Sequence, residues 1–194
     1  MNVTLRLIVG LGNPGPEYLN TRHNAGFWLL DIFAGALKTN FVYDKYFDGL
    51  ISKIYLNGNN IIFFKPSTYI NNSGSALYKL VNFYKINPEN ILVFHDELDL
   101  PPGDIRVKYN GGSAGHNGLR SIQKVIGSEF WRIRIGIGHP RSLNSKQLVS
   151  DFVLDRPSCS EKNQINMAMD CCLNCMFDIL DGNFEVVRNK LKNS

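Results

Sequence analysis

The sequence predicts an α/β fold, a single domain in which a mixed β-sheet is flanked by helices. Three observations point there. Short apolar runs of strand length (LRLIVGL, IIFF, ILVF) recur, segments with helical spacing alternate with them, and Gly- or Pro-rich loops separate the two. At 194 residues, 44% hydrophobic and 20% charged, the chain is sized for one core that folds alone, so residues 1–194 are expected to form one domain.

The elements follow in order. Leu5 to Leu11 is an apolar run stopped by Gly12-Asn13-Pro14-Gly15-Pro16, which reads as a buried strand ending in a rigid turn. Asn24 to Leu37 carries Phe27, Leu30, Phe33, Ala34 and Leu37 at helical spacing. Tyr46 to Tyr55 and Asn60 to Lys65, joined through Asn57-Gly58-Asn59, form a predicted hairpin. Ser73 to Tyr84 is helical by its stripe of Leu77, Leu80, Val81 and Tyr84, and Pro88 closes the connection. Ile91 to Phe94 is another buried strand. Asp104 to Tyr109 and Arg132 to Gly138 are further strands, separated by the Gly-rich loop Gly111 to Gly118 and a helix through Leu119 to Val125. From Ser160 the pattern is helical to the end.

Composition excludes more than it selects. No run approaches the roughly 18 apolar residues of a membrane span, and no signal-type segment opens the chain, so a cytoplasmic protein with no membrane partner is expected. A net charge of +4 permits a polyanionic partner without demanding one. Cys159, Cys171, Cys172 and Cys175 crowd the C-terminal quarter without a second ligand cluster at zinc spacing, and they read as small packed hydrophobes. With 22 asparagines in the chain, only those inside tight motifs carry weight.

Gly10-Leu11-Gly12-Asn13-Pro14-Gly15 spells the dinucleotide fingerprint directly after a strand. A nucleotide site needs the helix to begin within the glycines, so that its amides meet the pyrophosphate. Here Pro14 and Pro16 bracket Gly15, and the helical pattern starts about two turns later. Asp31 stands near the distance of a ribose carboxylate but lies inside the helix pattern. The turn is better used to hold the Asn13 amide, a group that both donates and accepts, at the strand end.

His23 precedes an apolar helix, a place where a lone histidine is more often a cap or structural residue. His95-Asp96-Glu97-Leu98-Asp99 follows the strand ILVF, at the kind of strand end where α/β folds gather functional groups. Carboxylates this close repel if all are buried, so most are expected in solvent with one held for a partner. Asp96 is the candidate to accept a hydrogen bond from His23, fixing its tautomer and balancing an imidazolium. The same carboxylates raise glycosidase chemistry as a competing class, on weaker grounds. Nucleophilic serine chemistry is set aside on the expectation that the chain carries no G-x-S-x-G elbow, and no cysteine lies near a histidine. Water is the expected nucleophile. His116 is divided between lining the cleft and a structural role, and His139 is expected to end a strand.

Taken together, GNPG, TRHNAG, STYINNSG, HDELDLPPG, GGSAGHNG and RIRIGIGHP resemble the bacterial peptidyl-tRNA hydrolase family, in family order from Leu5 to about Leu154. The resemblance implies a single α/β domain, monomeric and without cofactor or metal, that opens the ester between peptide and tRNA and so returns tRNA to translation. It implies His23 as the catalytic base supported by Asp96. Asn13, Asn71 and Asn117 would bind the peptide end or the reacting ester, and Tyr18 and Tyr69 complete the expected substrate-binding set. Two positions depart from the family's usual residues: Ile70 stands where Met is usual, and Ala114 where the loop commonly carries another Gly. The segment from Arg141 to Gln147 fits the family pattern poorly.

For the RNA, strand alternation is informative. Arg106 and Lys108 share one face, as do Arg132 and Arg134, while Ile133, Ile135 and Ile137 face the core. Ordinary solvated strand charge accounts for at least half of such residues. The resemblance selects Lys108 and Arg134 as tRNA contacts.

Overall fold

A computed structural model describes residues 3–142 and 146–192. Among them are β1 (Leu7–Gly10), α1 (Ala25–Ala36), β2 (Val42–Asp44), β3 (Gly49–Leu56), β4 (Asn59–Pro66), α2 (Ser73–Tyr84), β5 (Ile91–Glu97), β6 (Ile105–Tyr109), α3 (Asn117–Ile126), β7 (Trp131–Gly136), α4 (Val149–Val153), α5 (Cys159–Asn174), α6 (Met176–Leu180) and α7 (Phe184–Lys192). The strands form one mixed sheet in the order β2-β3-β4-β1-β5-β7-β6. This is the single-domain α/β fold that the sequence predicts. The hairpin and the helix Ser73–Tyr84 stand where expected, whereas β2 and α4, each too short to show a period, were not anticipated.

β4, β1, β5 and β7 run parallel at the centre, and β3 and β6 are antiparallel to their neighbours. Central parallel strands are covered on both faces, which is why β1 and most of β5 read as unbroken apolar runs. Alternate residues feed two cores. Ile8, Phe63, Phe94, Ile133 and Ile135 pack with α1 and the C-terminal helices, while Leu7, Val9, Phe64 and Val93 pack with α2 and α3. Each fully buried Phe or Leu contributes on the order of 2–3 kcal/mol.

Cys172 and Cys175 are buried in the first of these cores, and burial pushes both thiols up from their ordinary pKa. They behave as the packed hydrophobes expected of them, whereas Cys159 is exposed. Among the described residues, no helix is long and apolar enough to cross a membrane.

One close approach sets up the site. A Cβ added at Gly26, in the first turn of α1, would lie 2.3 Å from the Phe94 carbonyl and 2.6 Å from the Leu11 backbone. The missing side chain lets the start of α1 rest on the backbones of β1 and β5. The turn before it is thereby carried to the carboxyl end of β5, two residues beyond Phe94.

Candidate active site

The loops after β1 and β4 and the last residues of β5 gather at the carboxyl edge of the parallel strands, where open α/β sheets place their ligands. His23 sits in a short 3-10 turn, Arg22–Asn24, between the GNPG turn and α1. Its Nδ1–H donates to Asp96, 2.9 Å from Oδ1 and 3.0 Å from Oδ2, with the two residues only 8% and 2% exposed. That bond fixes the tautomer and leaves the Nε2 lone pair available on a ring that lines the pocket. Burial opposes a charge on His23, but the charge and hydrogen bond of Asp96 outweigh it and raise its pKa above the ordinary value. Asp96 is held well below the usual carboxylate range: the two imidazoles, His23 and His116, overcome the cost of its burial.

His116 completes the cluster. Its Nδ1 accepts the backbone N–H groups of Gly118 and Leu119, at 3.1 and 3.3 Å, and so caps α3. An accepting Nδ1 carries no proton, so the proton sits on Nε2, which donates to Asp96 Oδ1 at 2.9 Å. The ligand-type atoms of His23, Asp96 and His116 lie within 4.8 Å of one another, close enough to raise the question of a cation. The protons answer it poorly. A metal at His116 Nε2 would move that proton to Nδ1, against two amide donors.

The expectation that most of the three carboxylates are solvated is corrected. Asp96 and Glu97 are both buried and belong to β5 itself, while Asp99 is exposed. Strand alternation starts the Asp96 and Glu97 side chains from opposite faces of β5, and although both border the cavity beside His23, each has its own partners. Glu97 accepts from Arg134 Nε at 2.8 Å. His95, between them, is fully buried; its Nδ1–H donates to the Asp96 carbonyl at 2.7 Å, and burial holds its pKa well below the ordinary value.

The asparagines are arranged by one another. Asn24 locks the turn by accepting the Asn13 N–H at 2.8 Å and donating to its carbonyl at 3.0 Å. Asn13 Oδ1 accepts the Ile70 N–H at 2.8 Å, which leaves its amide nitrogen as the remaining side-chain donor. Tyr18 and Tyr69 meet edge to face, with ring centroids 6.1 Å apart. His23, Asp96, His116 and Asn117 share a cavity of about 160 Å³ with Leu98, Val149 and Val153 among its other walls. Asn71 and Asn117 share a neighbouring groove of about 380 Å³ beside Arg120 and Lys124. Asn13, Tyr18 and Tyr69 line neither cavity, and the Asn13–Ile70 bond and the tyrosine contact join their loops beside them.

The expected absence of a G-x-S-x-G elbow sequence is corrected. Gly111-Gly112-Ser113-Ala114-Gly115 does spell G-x-S-x-G. Placement speaks against serine chemistry: the cavity is walled by Ala114 to Asn117 rather than by Ser113, and a loop of seven residues separates β6 from α3 instead of a tight elbow. The dinucleotide fingerprint likewise leads into turns, and α1 begins only at Ala25. Ala114 takes a left-handed φ of +48°, and Gly111 and Gly115 are positive too, so the departure at this position falls on strained backbone.

On the RNA face, the register sets Arg106 opposite Arg134 and Lys108 opposite Arg132. Their environments differ. Arg106 and Lys108 are exposed, Arg106 against Asp104. Arg132 is only 2% exposed, bonds the Gly111 and Gly112 carbonyls and stands over the Phe130 ring, so it clamps the Gly-rich loop. A larger cavity of about 740 Å³ runs along β6, with Lys108, Arg188 and the Asp104–Arg106 ion pair at its walls. β7 ends at Gly136, so His139 follows the strand instead of ending it, and its Nδ1 accepts from the Arg141 N–H at 3.1 Å. Of the segment from Arg141 to Gln147, residues 143–145 lie outside the described residues.

Sequence reasoning missed three contributors: Asn24 as the lock on the GNPG turn, the bond from His116 to Asp96, and Arg22. Arg22 is buried and bonds both the Phe152 carbonyl and Glu161. Each had a visible signal in its motif, Arg22 and Asn24 in TRHNAG and His116 in GGSAGHNG, but no motif shows which partner its side chain meets.

Fold and site together define an α/β protein with a buried histidine–carboxylate pair at the carboxyl edge of its parallel strands. The peptidyl-tRNA hydrolase family model matches residues 7–194. Peptidyl-tRNA hydrolase of Bordetella parapertussis is 50% identical over 192 residues, covering 98% of this chain and 89% of that protein. The Neisseria gonorrhoeae protein of the same name is 46% identical over 186 residues, covering 95% of each. A crystal structure of peptidyl-tRNA hydrolase from Acinetobacter baumannii superposes with a TM-score of 0.92 at 41% identity, covering 98% of this chain and 96% of that one. The chain belongs to the peptidyl-tRNA hydrolase family.

Proposed function

We propose that this protein hydrolyses the ester joining a peptide to tRNA, releasing a free peptide and a tRNA that re-enters translation. The observation that carries the reading is the buried His23–Asp96 pair on the wall of a cavity shared with Asn117. His23 Nε2 takes a proton from water as the water oxygen attacks the ester carbonyl. Asp96 balances the imidazolium that results. The tetrahedral oxyanion is steadied by neutral amide donors, Asn117 and the side-chain nitrogen of Asn13. Collapse expels the ribose hydroxyl, which recovers the proton from His23.

Asn71, Tyr18 and Tyr69 hold the peptide. Amides suit a substrate with variable side chains, because they read its backbone and not its sequence. Lys108 and Arg134 hold tRNA phosphates. The reaction proceeds without a metal, a reading supported by the tautomer of His116, which fills with a proton the place a cation would take. The protein works as a cytoplasmic monomer. Incubating it with N-blocked peptidyl-tRNA and with free aminoacyl-tRNA tests the reading: the first should lose its peptide much faster. Equal turnover of both, or of neither, overturns it.

A further inference from the structure

We propose that His116 is a positioning residue, which by capping α3 through Nδ1 is obliged to donate Nε2–H to Asp96, so that the carboxylate behind His23 is shared between two imidazoles. Three distances carry it. The cap bonds are 3.1 and 3.3 Å, and the donation to Asp96 is 2.9 Å, on the same Oδ1 that His23 engages at 2.9 Å. The proton on His116 has one place available, because the other nitrogen faces two amide donors that are themselves fixed by the helix.

Two consequences follow. The first is mechanical: the residue after His116 is Asn117, the first of α3, so the side chain expected to meet the ester is tied through one ring to the carboxylate that orients the base. The second is electrostatic. A donor on Asp96 spends part of its charge, leaving less to stabilise a protonated His23. His116 therefore makes the base easier to deprotonate than a lone His–Asp pair would. Other charged groups nearby are otherwise engaged. Glu97 bonds Arg134 and Arg22 bonds Glu161, while α4 contributes only Val149, Ser150 and Val153 to the cavity. His95 lies beneath, 5.1 Å ring to ring from His116.

Two substitutions separate the cap from the donor. Asparagine places an oxygen near Nδ1 and is a preferred N-cap, so His116→Asn keeps the cap and loses the bond to Asp96. Glutamine reaches about as far as Nε2, so His116→Gln keeps a donor for Asp96 and weakens the cap. The His23 ring is titrated by NMR in both, alongside the acid limb of the rate profile. In His116→Asn the His23 midpoint should rise by about half a unit or more, while His116→Gln stays near the wild type. An unmoved midpoint in His116→Asn, or equal shifts in both variants, overturns the proposal.

The inference rests on His23 being the base, and the two readouts keep the failures apart. A ring midpoint that moves while the rate profile does not would sink the assignment of the base and leave the shared carboxylate standing.

Discussion

His23 Nδ1 lies 2.9 Å from Asp96 Oδ1, although the two residues are 73 positions apart and both are buried. A bond of this kind is kept because it sets which nitrogen of the ring holds a proton. His23→Ala should therefore lower turnover by roughly 10²- to 10⁴-fold while peptidyl-tRNA still binds, since the base acts mainly in the transition state. Single-turnover rates and a binding assay on the folded variant check this. Near-normal turnover would mean that another group takes the proton.

The pH profile has a definite sign. Asp96 raises the His23 pKa above its ordinary 6.5 against the opposing effect of burial, so activity should climb as pH passes a midpoint above that value. Asp96→Asn removes the charge and keeps an acceptor. The rate should fall, and the acid limb should move to lower pH, because burial then acts on His23 without its counter-charge. A limb that stays in place would show that Asp96 does not face the titrating group.

Peptide release should survive chelation. Treatment with excess EDTA ahead of the assay is expected to leave the rate unchanged, provided the tRNA itself stays folded under the same salt. A loss restored only by a transition metal would return His23, Asp96 and His116 to consideration as ligands.

Lys108 and Arg134 separate on the RNA face. Lys108→Ala should weaken tRNA binding, reduce the slope of log affinity against log salt by about one, and leave saturated turnover nearly intact. Arg134→Ala should do the same but also destabilise the fold by about 1–3 kcal/mol, because Glu97 is left buried without its partner. Salt titrations and chemical denaturation check the pair. If neither slope changes, both are surface charge.

The left-handed backbone at Ala114 predicts a gain. Ala114→Gly should stabilise the protein by about 0.5–1 kcal/mol, the relief at φ +48° exceeding the added freedom of the unfolded chain. Equal or lower stability by denaturant midpoint would show that the loop carries no strain there.

Much of the fold was legible in the sequence because periodicity is local. The runs of β1 and β5 and the stripe of α2 declare themselves within a dozen residues, and α2 spans the range that its pattern marks. β2 and α4 did not, being three and five residues long and held by their neighbours.

The site divides in the same way. Its residue types came from the order of the motifs, which a single chain displays directly. Which atoms meet was decided only by the tertiary structure. Gly26 lets α1 touch β5 and so delivers His23 to Asp96, strand alternation parts Asp96 from Glu97, and the cap of α3 turns His116 from a bystander into a donor. Each is a contact between segments far apart in the chain, set by backbone packing and hydrogen-bond direction. Sequence determined which chemistry was available to this protein. Geometry determined which nitrogen carries the proton, because that depends on what faces each side of the ring.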